Sequence, residues 1–189
     1  MKNAQKFAVR GIVTRRLYDE DGNPKKMFRE NKFWEFLSSA FKLDLKIPFI
    51  TGVWTTEPIV HNDITPAGLA AVAGMIIGNA VDEFKYLALG TGTATASGLD
   101  AEITTSGGER APGTLSLETL DETDDTAQIV NEWTFSGDLT ITEEGLFNGA
   151  TAGSPGTMLA YRNFSAIGVE NGNKLEITHQ IQAKVESGE

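Results

Sequence analysis

Apolar and polar residues alternate most regularly near the C-terminus. Leu175, Ile177, His179, Ile181, Ala183 and Val185 fall on one side, with Lys174, Glu176, Gln180, Gln182 and Lys184 on the other. That period of two predicts a half-buried strand over residues 174–186. The preceding Glu170-Asn171-Gly172-Asn173 predicts a type I′ hairpin turn. Further strands are expected at 84–89, 113–120, 126–136, 139–142 and 156–163, separated by turn residues. At the other end, FAVRGIVTRRLY (7–18), DEDGNP and KKMFRE predict a hairpin.

Two segments carry a helical period. Asn31 caps NKFWEFLSSAFK, in which Phe33, Phe36, Leu37, Ala40 and Phe41 share a face. Thr65-Pro66 supplies an N-cap and first-turn proline for AGLAAVAGMIIG (67–78), expected to be a buried helix ending near Gly78-Asn79. At 12 residues it is short of the roughly 20 that span a bilayer. Between the helices, residues 43–62 form an extended excursion interrupted by glycine and proline. The expected fold is mainly β (α+β), an antiparallel β-sandwich with an N-terminal hairpin and two short helices. Residues 1–61 hold the hairpin, first helix and extended segment; residues 62–189 hold the sandwich and its lead-in helix.

Charge narrows the partners. With 26 Asp plus Glu against 16 Lys plus Arg, the net charge of -10 repels phosphate backbones and argues against nucleic acid as ligand. The absence of cysteine removes disulfides, thiolate nucleophiles and Cys-type zinc sites.

Candidate chemistry is sparse. FKYLALGTGTATASG places a Gly-Thr-Gly turn after a strand, yet Thr95 stands where a dinucleotide fingerprint needs glycine, and no Gly-Lys-Ser/Thr follows. The turn is therefore expected to need Gly90 and Gly92 for positive φ, not to hold phosphate. Asp19, Asp21, Asn23 and Glu30 match a calcium-loop spacing, but Pro24 occupies the glycine position. Asp121, Glu122, Asp124 and Asp125 form an acidic tip, read as a solvated turn before a weak Ca²⁺ site.

Only His61 and His179 are available as imidazole bases, and no G-x-S-x-G elbow occurs; the adjacent Glu143 and Glu144 carry no argument without a cleft. The expectation is a protein that is not an enzyme, with no cofactor and no metal. Glu102, placed in a short helical turn after Leu99, and Arg110, after a Ser-Gly-Gly bend, are candidates for a loop-closing ion pair.

Phe49, Ile50, Val53, Trp54, Ile59 and Val60 give the excursion more large apolar side chains than a loop usually shows. They are expected partner contacts in a homo-oligomer, with a trimer favoured. Trp34 and Trp133 sit in periodic patterns and read as core, which leaves Trp54 as the aromatic suited to stacking on a sugar.

Taken in order, YLALGTGT, LDAEI, ER, ITEEGLFN, GTMLAYRNFSAI and NGNKLEITHQI, preceded by NDITPAGLAAVAGMIIGN, resemble a module of small tailed-bacteriophage virion structural proteins. The resemblance spans residues 62–185, with Gly90, Gly92, Leu99, Glu102, Arg110, Glu144, Gly145, Phe147, Met158, Arg162, Phe164 and Leu175 as its scaffold positions. It implies a virion location after assembly in the host cytoplasm, and contact with the major capsid protein or other virion proteins. Neither nucleic acid nor membrane is implied. Capsid decoration is the first reading; a tail, neck or fibre-base adaptor and a carbohydrate-binding module are the alternatives.

Overall fold

A computed structural model describes residues 5–31, 46–48, 50 and 52–187. The helix expected after Asn31, with Trp34, lies outside the described residues. The fold is mainly β with antiparallel sheets.

The elements follow in chain order. Strands β1 (Gln5–Tyr18), β2 (Pro24–Lys25), β3 (Met27–Glu30), β4 (Gly52–Thr55), β5 (Ile59–His61) and β6 (Asp63–Ile64) lead to helix α1 (Pro66–Ile76). After it come β7 (Tyr86–Gly90), β8 (Ala111–Pro112), β9 (Thr114–Glu118), β10 (Thr126–Thr134), β11 (Leu139–Phe147), β12 (Met158–Val169) and β13 (Lys174–Ser187).

The first and last long strands hold the larger sheet together. β1 and β13 pair over their full lengths, from Gln5↔Ser187 to Tyr18↔Lys174, within the order β2-β1-β13-β10-β9, and β5 also lies on β1. A second sheet runs β6-β12-β11-β7-β8, and β3 pairs with β4. Both sheets contribute to one apolar core, which includes Val13, Ile129, Trp133, Leu175 and Ile177 from the larger and Leu87, Ile141, Leu146 and Ile167 from the smaller. A satellite cluster of Ala88, Phe147 and Met158, packed by Tyr86, Leu99 and Tyr161, involves β7, β11 and β12 of the smaller sheet.

Several sequence expectations change in three dimensions. The N-terminal hairpin is only a two-residue pairing, Leu17↔Lys25 and Tyr18↔Pro24, after which β3 leaves to pair with β4. β1 is already occupied by β13 on its other edge and receives β5 at Ile12–Thr14. The Asn171-Gly172 turn is not type I′: only Gly172 has positive φ, +83°, and it joins β12 and β13, which lie in different sheets. β11 and β12 extend beyond the predicted 139–142 and 156–163. From Glu143 to Phe147 β11 is buried on both faces, which erases the alternation that would have marked its length.

Helix α1 starts and stops as its sequence predicts. Thr65 Oγ1 accepts from Gly68 N while donating to the Met158 carbonyl, and Gly78 leaves the helix at φ +78°. It is not a buried helix, however. Only Gly68 and Gly74 are buried, while Leu69, Met75, Ile76 and Ile77 are exposed. Glycine sets the packing face, because a Cβ on Gly68 would lie 2.6 Å from the Leu159 carbonyl oxygen of β12. Gly68→Val should therefore push the helix off the sheet and cost about 1–3 kcal/mol in denaturant unfolding. Ala73→Val, at an exposed site of the same helix, should cost only the difference in helix propensity, about 0.6 kcal/mol, in the same titration.

Candidate functional site

β11 carries adjacent carboxylates with different partners. A register irregularity between Ile141 and Glu143 resets the strand, so that Ile141 and Leu146 both join the shared core. Glu143 is fully buried beneath the glycine loop and Glu144 reaches His179 of the larger sheet.

The glycine loop does cradle an anion, and the anion is Glu143. Its Oε1 accepts from Ala101 N at 2.9 Å and Gly92 N at 3.2 Å, and its Oε2 from Asp100 N at 3.1 Å. Thr142 Oγ1 donates to the Gly92 carbonyl at 2.7 Å. The Asn163 amide exchanges hydrogen bonds with Ala94 N and O at 2.8 and 2.9 Å, standing in for a neighbouring strand. Positive φ is not why glycine stands at 90 and 92, since neither adopts it. Space is the reason: a Cβ on Gly90 would lie 2.1 Å from Glu143 Oε1, and one on Gly92 2.6 Å from Asp100 Oδ2.

Arg110 closes the same loop. Its Nε and Nη2 donate to the two Glu102 oxygens at 2.8 and 2.7 Å, and its Nη1 donates to the Gly149 and Pro155 carbonyls at 2.9 and 3.0 Å. The guanidinium lies 3.8 Å from the Phe147 ring centroid. Glu102 is not in a helical turn but in a β-bridge to Gly90, and the Ser106-Gly107 bend, with φ of 62° and 79°, turns the chain back toward it.

A buried polar chain links the sheets. Asn62 Nδ2 donates to His179 Nδ1 at 3.2 Å, which leaves Nε2–H to donate to Glu144 Oε2. His179 is thus a core residue that spans the inter-sheet space. Arg15 is also buried, with its guanidinium 4.1 Å from the Phe164 ring centroid. Burial lowers its pKa to about 10, the Glu144 charge pulls it back up and Arg162 lowers it. It stays cationic at neutral pH.

The acidic tip is organised around its own backbone. Asp125 accepts from Leu120 N, Asp121 N and Glu122 N, and from Thr126 Oγ1 and Gln182 Nε2. The Gln182 bond foremost holds its carboxyl well below the usual range. Asp19 likewise turns to Asn23 N and Nδ2. Among the described residues no group of three or more His, Asp or Glu side chains is placed to hold a metal.

The expected partner contacts divide. Ile50, Trp54 and Ile59 are exposed, Val53 is half-buried, and Val60 packs against the core; Phe49 lies outside the described residues. Trp54 meets Phe28 edge to face at 5.5 Å. Sequence periodicity missed a second apolar surface. On the core-facing side of β13 and β1, Ile181 is half-buried, but Ala183 and Val185 are exposed, beside Val9 and Phe7. Phe7 and Val185 are 63% and 61% exposed. The larger sheet's apolar face thus runs on past the core, and the only signal in the sequence was that its alternation continues to Val185.

Glu102→Ala and Arg110→Ala should each cost about 3–5 kcal/mol, because each leaves a largely buried charge unpaired. The double variant should lose clearly less than their sum in the same denaturant titration; strict additivity would disprove the coupling. Asp125 has a lowered folded-state pKa, so its contribution is complete above the unfolded carboxyl pKa of about 3.9 and fades as pH falls toward the folded value. The stability gap between the wild type and Asp125→Ala should therefore be constant near neutrality and shrink below about pH 4, measured by thermal melts.

No family model, no curated protein and no solved structure matches the chain, so its function is argued from these side chains.

Proposed function

We propose that this is a structural component of a tailed-bacteriophage particle, working by docking and not by turnover, with decoration of the capsid surface as the specific role. The observation that carries the reading is the uncovered end of the larger sheet, where Phe7, Val9, Ala183 and Val185 continue the apolar face of β1 and β13 beyond the core. Water-exposed apolar area of this kind is stabilised by burial against another protein, at about 25 cal/mol per Å². The fixed loops support the same reading. A docking protein benefits from a rigid body, and Glu143, Asn163 and Arg110 tie down the long segment between β7 and β8 with side-chain hydrogen bonds. The ordered resemblance over residues 62–185 supplies the particle context.

The test is stoichiometry and occupancy. In purified particles, the protein should be present in a fixed ratio to the shell protein, and Phe7→Asp with Val185→Asp should abolish rebinding to stripped particles while leaving the melting temperature nearly unchanged. A ratio matching a single tail or neck ring would move the protein to that site. Full rebinding by the double variant would remove the sheet end as the docking surface.

A further inference from the structure

The outer edge of β9 shows a second feature, independent of the virion reading. Among the described strands, β9 is the last of the larger sheet and pairs with β10 alone. Ala183 N donates to the Asp125 carbonyl, so the alternation of antiparallel bonding points Ala127 and Ile129 toward β13 and Thr126, Gln128 and Val130 toward β9. Their β9 partners, Glu118, Ser116 and Thr114, bond inward. Leu115 and Leu117 consequently direct their N–H and C=O groups away from the sheet, where no described strand receives them.

Exposed edges are usually blunted by charged side chains, above all lysine, by proline or by a bulge; TLSLE has no lysine, proline or bulge, and its one charge, Glu118, sits at its end. Its side chains are also self-complementary. Leu115 and Leu117 are 48% and 64% exposed, and they lie on the apolar side, beside Ile129 and Ala127.

We propose that two copies of this chain join edge to edge through β9, antiparallel about a two-fold axis at Ser116, making one continuous sheet. In that register Leu115 meets Leu117 of the second copy and Leu117 meets Leu115, and these are the residues whose backbone groups point outward. The register that stacks leucine on leucine is therefore also the one that completes the hydrogen-bond ladder. On the polar side Ser116 faces Ser116, and Glu118 faces Thr114, a carboxylate opposite a hydroxyl with no like charges opposed. The acidic tips that follow β9 fall at opposite ends of the joined strands, on the order of 30 Å apart. That is well beyond the screening length of about 8 Å at physiological salt, so the net charge of -10 on each chain does not oppose the contact locally. The contact is isologous and closes at two, which sets it against the trimer expected from the sequence.

Sedimentation and a cysteine scan test the proposal together. The wild type should sediment with twice the 20.4 kDa of one chain. Leu117→Pro removes an outward N–H that β10 does not use, so it should yield a monomer with an unchanged circular dichroism spectrum. Leu115→Lys with Leu117→Lys should do the same without touching the backbone. Because the chain has no cysteine, Ser116→Cys places one thiol at the axis, in a non-hydrogen-bonded pair with Cα atoms about 4.5 Å apart, within disulfide reach. Mild oxidation should link that variant into dimers rapidly, and Glu118→Cys slowly or not at all. A wild type of single-chain or three-chain mass, a dimer that survives both edge variants, or equal cross-linking at 116 and 118 would each overturn it.

Discussion

Two buried carboxylates on one strand organise this protein. Glu143 and Glu144 are adjacent on β11, 0% and 1% exposed. A buried carboxylate without partners costs several kcal/mol, so each imposes order on whatever must satisfy it. Glu143 draws the backbone N–H groups of Gly92, Asp100 and Ala101 inward and fixes the glycine loop. Glu144 reaches the other sheet through His179, which is held in turn by Asn62. Removing Glu143 would leave the loop N–H groups of Gly92, Asp100 and Ala101 without that acceptor, and removing Glu144 would take the acceptor from His179 Nε2 and the neighbouring negative charge from the buried Arg15.

Glycine placement follows from the close approach of polar side chains. Gly90 leaves room for the Glu143 side chain, Gly92 for Asp100, and Gly11 for Asn62, whose Oδ1 would be 1.4 Å from a Cβ there. These residues are small so that polar groups can approach the backbone, not so that the backbone can turn. An anion-binding turn that already holds an internal carboxylate has no room for phosphate, which gives a physical reason to read the loop as scaffold.

The rest of the architecture leaves two kinds of unfinished surface on the same sheet. At the Phe7 and Val185 end of β1 and β13 an apolar face is left in water; where β9 ends the sheet, a hydrogen-bond ladder stops. The first calls for a partner of apolar surface, the second for another strand. A particle protein built from copies of itself on a foreign surface would use both, one contact homotypic and one heterotypic, without either competing for the other's residues.

Composition and local pattern alone determined that the chain is acidic, cysteine-free and mainly β, with long strands at 7–18 and 174–186 and a helix capped by Thr65. These depend on side-chain period and on local backbone preference, which neighbouring residues carry. The candidate pair Glu102 and Arg110 was also legible, because a bend between them keeps the contact local. Tertiary structure decided the rest. Glu143 and Glu144 looked like a chance pair, since their meaning lies in Gly92 and Ala101 on one side and His179 on the other, each more than 30 positions away. α1 looked buried because its composition is apolar all round, and the approach of Leu159 to Gly68, with Val72 against the core, selects its inner face. The alternation that ends in Val185 predicts a core-facing strand equally well with or without a sheet opposite, because side-chain period records which way a residue points and not what stands there.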